Sequence, residues 1–137
     1  MSTVQLENND LRLVLDPQRG ASTLALYGYG DSQWLPLMPD TRDKACDLPC
    51  ANFLMIPYSN RIKDGAFTFE GKPYQLKNGE GPAIHGDVRQ RPWTVVQQSK
   101  TALRCAFDSL SFGEVNWPCS FSAEADFALN VAHLTMH

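Results

Sequence analysis

Helical periodicity is nearly absent from this chain. Apolar residues seldom recur at three- and four-residue spacing, which removes helical architectures from consideration. Long apolar runs are missing too, and nothing approaches the ~18 residues that a membrane-spanning helix needs. Basic charge is in short supply, with 12 Lys and Arg against 15 Asp and Glu and a formal net charge of -3. The basic residues are scattered rather than striped, which argues against a nucleic-acid partner or an anionic membrane surface. Residues 1–10 lack the basic segment and apolar run of a secretory leader, so the cytoplasm is the expected location. Cysteine is sparse: Cys46, Cys50, Cys105 and Cys119. The spacing of Cys46 and Cys50 fits neither a redox C-x-x-C pair nor a zinc ribbon. Buried or half-buried thiols with no metal are expected.

What is present is short alternation broken by turn residues. The 137 residues, 43% of them hydrophobic, make one domain's worth of chain with a core of its own. Leu11 to Leu15 alternates and then meets Asp16-Pro17, where a strand should end. Ala21 to Tyr27 reads as the next strand, Tyr27 to Asp31 as turn-rich, and Trp34 to Leu37 as a short strand that Pro36 confines to an edge. Met38 to Ala51 reads as a long loop with at most a helical turn, and the apolar run Asn52 to Pro57 should enter the core. Phe67-Thr68-Phe69-Glu70-Gly71-Lys72-Pro73-Tyr74-Gln75-Leu76 is a β-hairpin pattern, with Glu70-Gly71 at the turn. A loop from Lys77 to Ala83 follows. Trp93 to Gln97 should pair with Ala102 to Phe107, and Phe121 to Leu129 should form a long strand. Many short strands with turns between them predict an all-β sandwich or barrel.

Three features sit where strand-building does not require them. Asn60-Arg61, directly after an apolar run, offers several donors and an amide acceptor at a sheet rim, a pair suited to a polyhydroxylated ligand. The plainer reading of Arg61 is a rim arginine with its stem laid on the sheet. His85-Gly86 supplies a group that donates or accepts a proton near neutrality beside a residue that permits close backbone approach. An ordinary loop histidine is the alternative. Trp34, Tyr58, Trp93, Phe112 and Trp117 could cover the apolar C–H face of a sugar, although core packing suits Trp93 better. His133 and His137 have a spacing that would suit a metal on a helix, but their surroundings are strand-like and no carboxylate motif accompanies them.

In this order the features resemble the aldose 1-epimerase, or galactose mutarotase, family. The resemblance runs from Gly20-Ala21 through Pro57-Tyr58-Ser59-Asn60-Arg61-Ile62 and Gly65 to the Phe67–Leu76 hairpin. Asn78, His85-Gly86, Trp93 and Val115-Asn116-Trp117-Pro118 continue it, with Trp117 where a tyrosine is more usual. It covers roughly Leu11 to Leu129, and residues 130–137 fit it poorly. It implies a large antiparallel β-sandwich of the galactose mutarotase-like kind. It also implies interconversion of the α and β anomers of a free aldose such as galactose or glucose, with no cofactor and no metal. A base takes the anomeric hydroxyl proton while an acid protonates the ring oxygen; the ring opens, C1–C2 rotates and the ring recloses. The roles implied are catalytic for His85 and substrate-binding for Arg61 and Asn60, the latter by supporting Arg61 or shaping its loop.

Family members supply a second histidine, a sugar-binding aspartate and a glutamate base from later segments. The resemblance therefore implies that residues 1–137 are the N-terminal portion of a single sandwich domain, incomplete in this chain and weakly active by itself. Strands left without neighbours would then favour self-association. The alternatives are a non-catalytic carbohydrate-binding module and an inactive remnant. The acidic balance favours a neutral aldose over a phosphorylated one.

Overall fold

Two four-stranded antiparallel meanders carry the core in the computed structural model, which describes residues 3–77 and 83–137. The first comprises β1 (Val4–Glu7), β2 (Leu11–Asp16), β3 (Ser22–Gly30) and β4 (Gln33–Met38), paired in chain order. Four short strands follow as two small ladders: β5 (Arg61–Ile62), β6 (Ala66–Phe69), β7 (Lys72–Gln75) and β8 (Ala83–Ile84). β5 pairs with β8, and β6 with β7. The second meander is β9 (Thr94–Gln98), β10 (Ala102–Asp108), β11 (Ser122–Asn130) and β12 (His133–Met136).

Alternation decides which side chains meet between the sheets. Leu11, Leu13 and Leu15 of β2 point inward with Leu6 of β1, and they meet Leu103, Cys105 and Phe107 of β10 and Phe127 and Leu129 of β11. Trp93 and Val88, from the segment entering β9, complete this core. Each fully buried leucine contributes ~1.5–3 kcal/mol relative to exposure. The sheets are tied at one end by the Glu7 N–H, which donates to the Lys100 carbonyl at 2.8 Å. β2 is covered on its second face as well, where Val14, Leu24 and Ala25 form a small cluster against Tyr27 and Cys50. That explains the long loop after β4: Thr41 donates to the Leu24 carbonyl at 2.9 Å and Ala51 to that of Thr23 at 2.8 Å.

Several expectations need correction. β1 was not legible, because a four-residue alternation between polar neighbours carries little periodic signal. The Tyr27–Asp31 stretch is not a turn: β3 continues through Gly28 to Gly30, and the reversal falls on Asp31 and Ser32, both left-handed at φ 49° and 61°. The Asn52–Pro57 run forms no strand of its own. Leu54 and Ile56 pack against the core, Met55 is exposed, and Asn52 and Ile56 make single bridges to Thr23 and Gly86. Cys119 is exposed rather than buried; Cys105 is buried, and burial, with the charge of Asp126, pushes its thiol up to about 11. Residues 78–82 of the expected Lys77–Ala83 loop lie outside the described residues, Asn78 among them.

Candidate functional site

The short β5–β8 ladder sets the site. Its register places Arg61 opposite Ile84 and Ile62 opposite Ala83, so Asn60 and His85 face each other just beyond its end. Both take left-handed backbone, at φ 59° and 61°, conformations that asparagine and histidine tolerate better than most residues. They are joined twice. The His85 N–H donates to the Asn60 carbonyl at 2.9 Å, and the Asn60 N–H donates to His85 Nδ1 at 3.1 Å. The Asn60 side-chain oxygen accepts from the Arg61 N–H at 2.9 Å and holds the turn.

The bond to Nδ1 has a chemical consequence. A backbone N–H can only donate, so Nδ1 carries a lone pair and the ring proton sits on Nε2. His85 thereby presents an Nε2–H donor. Asn60 reaches the histidine through its backbone, while its side-chain oxygen is engaged by the Arg61 N–H. The Phe53 ring stands edge-on to His85 with centroids 5.5 Å apart, and the Arg89 guanidinium lies over the Phe53 ring at 5.7 Å. Arg61 is exposed, and among the described residues no carboxylate lies within ion-pair distance of it.

The close approach expected at Gly86 is made by the chain itself. A Cβ there would fall 1.8 Å from the Ile56 carbonyl oxygen, and the Asp87 N–H donates to that oxygen at 3.0 Å. Gly20 is constrained in the same way: a Cβ would lie 2.4 Å from the Arg89 carbonyl oxygen, while the Gly20 N–H donates to that of Arg91 at 2.8 Å. Gly20 and Gly86 thus hold the 86–91 segment against the turn between β2 and β3 and against the 52–57 run. Asp87 then fixes the Val115–Pro118 stretch: its carboxylate accepts from Arg91 Nε at 2.6 Å and from the Asn116 N–H at 3.2 Å.

A row of rings flanks this arrangement. Tyr58 lies 5.4 Å from Trp117, Trp117 stacks on Phe67 at 5.3 Å, and Phe67 stacks on its cross-strand partner Tyr74 at 5.2 Å. Burial raises the Tyr58 phenol above its ordinary value, Asp87 adds to that, and Arg89 and the Gly86 backbone oppose it. Of the other expected aromatics, Trp93 belongs to the core, Phe112 stacks on Phe107, and Trp34 is engaged by Arg12 and Tyr29. His133 lies in the β12 hairpin, and His137 makes backbone bonds to Asp126. Phe53 and Arg89 carried no sequence signal. Phe53 sat in an apolar run, and Arg89 falls in a single-turn helix, Val88–Gln90.

Comparison with known proteins is consistent with this geometry. An uncharacterized protein of Escherichia coli K12, YihR, is 29% identical over 117 residues, which is 81% of this chain and 35% of that protein. The solved GalM/aldose epimerase homologue of C. elegans superposes with a TM-score of 0.74 at 17% identity, over 95% of this chain and 42% of its own. A galactose mutarotase-like protein of Lactobacillus casei gives 0.71 at 17% identity, over 98% of this chain and 42% of its own. The chain therefore spans about a third of that curated relative and two fifths of those solved chains. The likenesses show an antiparallel galactose mutarotase-like β-sandwich. The family model for aldose 1-epimerases matches residues 2–137, so the closing segment expected to depart from the pattern lies within it. The chain belongs to the aldose 1-epimerase family.

Proposed function

We propose that the protein serves to interconvert the α and β anomers of an aldose with a free anomeric hydroxyl, residues 1–137 forming the N-terminal portion of one sandwich domain. The observation that carries this reading is the pair of hydrogen bonds between Asn60 and His85, which leaves an Nε2–H donor at the end of the short ladder that contains Arg61. In ring opening the anomeric hydroxyl loses its proton, the C1–O5 bond breaks and O5 gains a proton. An imidazole Nε2–H donor is suited to hold the ring oxygen as negative charge builds there, while Arg61 holds hydroxyls through its planar fork. The two proton transfers fall to an acid and a base that the family resemblance places in later segments of such domains.

Sugar binding without turnover is the second reading. It is favoured by Asp87, the carboxylate whose charge reaches Tyr58, being committed to Arg91 and Asn116 rather than turned toward His85. Anomer exchange of galactose and glucose, followed by polarimetry and NMR with sugar titration alongside, tests both. The first reading expects exchange above the spontaneous rate, lowered roughly 10²–10³-fold by His85→Ala. Saturable binding with exchange at the spontaneous rate would establish the second. Neither binding nor exchange would overturn both.

A further inference from the structure

One loop is tied to both halves of the site. Residues 112–118 follow Asn60 and His85 at a distance in the chain, yet each half reaches them by its own contact. On the His85 side the tie is Asp87, two residues on. Its carboxylate accepts from the Asn116 N–H at 3.2 Å and from Arg91 Nε at 2.6 Å. Arg91 donates in turn through Nη2 to the Glu114 carbonyl at 2.6 Å, and its guanidinium lies over the Phe112 ring at 5.1 Å. The Asp87 carboxylate is thus the shared acceptor of a clamp that grips the loop at Phe112, Glu114 and Asn116.

On the Asn60 side the tie is Tyr58, two residues before it. Its ring lies 5.4 Å from that of Trp117, which stacks on Phe67 at 5.3 Å. The Asn116 side chain exchanges two bonds of 2.8 Å with the Lys77 backbone, just after the β6–β7 hairpin that carries Phe67. The loop is therefore seated between the two halves rather than hung from one of them. The ladder that joins those halves directly is short: β5 and β8 pair two residues each, and the Asn60–His85 bonds lie beyond its end. Two pairs fix a register weakly. The bond to Nδ1, at 3.1 Å, is near the long end of the ordinary range, so a small displacement loses it. The Asp87–Arg91 pair is about a quarter exposed on each side, and a charge-assisted bond there constrains more than one in open solvent.

We propose that Asp87 is a positioning residue for the His85 donor, acting through Asn116 and Trp117 to keep the His85 segment in register with Asn60 and so to fix the ring proton on Nε2. The proposal rests on the anomer-exchange reading in one respect, that Nε2 faces the sugar. Removing the carboxylate frees the Asn116 N–H and the Arg91 guanidinium together, and the loop loses its hold on the 86–91 segment. Trp117 then no longer sets Tyr58 against that segment, and the two-residue ladder alone must align Asn60 with Nδ1.

Nitrogen–proton correlation of the His85 ring in the full chain, with galactose titration beside it, tests this. Asp87→Ala removes the carboxylate and leaves the backbone N–H on the Ile56 carbonyl. The two ring-nitrogen shifts should converge as Nδ1 loses its fixed donor, and galactose affinity should fall roughly 3- to 30-fold. Trp117→Leu leaves the carboxylate in place and should move both readouts the same way. The double variant should go no further than the larger single effect, because residues acting in one chain of contacts do not add. Asp87→Asn keeps an oxygen acceptor for the Asn116 N–H and should retain most of the parent's ring signature. Circular dichroism identifies a variant that has not folded, and Trp117→Leu decides the matter if Asp87→Ala is one. Ring shifts unchanged in a folded Asp87→Ala or in Trp117→Leu, or effects that add in the double variant, overturn the proposal. A parent that binds no sugar overturns the anomer-exchange reading instead, and the ring shifts still decide the role of Asp87.

Discussion

Gly86→Ala and Gly71→Ala make a matched pair. Both glycines are left-handed, at φ 66° and 76°, so each new Cβ incurs the same backbone cost of ~1–2 kcal/mol. Their surroundings differ completely. At Gly71, in the hairpin turn, nothing lies within 4 Å of the added atom. At Gly86 the atom falls 1.8 Å from the Ile56 carbonyl oxygen and 2.8 Å from the Pro57 nitrogen, both backbone, so neither can swing aside as a side chain would. The segment must move, and the bond from the Asp87 N–H to that carbonyl, 3.0 Å long, is broken or stretched. Leaving those groups without partners costs ~1–3 kcal/mol more. Gly86→Ala should therefore lose ~2–5 kcal/mol against ~1–2 for Gly71→Ala, a large share of a typical ~5–15 kcal/mol total. Urea unfolding of the two variants beside the parent measures the difference. Gly86→Ala should also abolish sugar binding, because His85 is its chain neighbour, whereas Gly71→Ala should not. Equal losses in the two variants would show that the 52–57 segment yields freely, and the reasoning that it braces His85 would fail.

The tautomer of His85 is open to direct measurement. Two-dimensional nitrogen–proton correlation should find the ring proton on Nε2 and an acceptor shift at Nδ1, and a proton on Nδ1 would refute the Asn60 assignment. Trp93→Ala should cost ~3–5 kcal/mol in chemical unfolding, since the indole is buried where the two sheets meet, and a loss below about 1 kcal/mol would contradict its place in the core. Thiol labelling with a maleimide at pH 8 should modify exposed Cys119 quickly. Buried Cys105, its thiol pushed up to about 11, should react only on unfolding, and comparable rates for the two would disprove the stated burial.

The sequence by itself determined the class of fold and the order of most strands. Period-two alternation reports on burial between neighbouring layers, and it is a local property: Leu11–Leu15, the Phe67–Leu76 pair and Phe121–Leu129 all read correctly because each carries its own pattern. It also marked Asn60, Arg61 and His85 as candidates, through their place at strand ends and the family resemblance, and the fold brings their backbones to one short ladder. The tertiary structure decided the rest. The left-handed backbone of Asn60 and His85, and the bond that sets the histidine's proton, depend on a two-residue ladder between segments more than twenty residues apart in the chain. Phe53 was hidden in an apolar run and Arg89 among scattered charges. Which arginines pair with acids and which do not is a matter of distances across the fold. No count along the chain contains those distances, since charge is summed by sequence but felt through space.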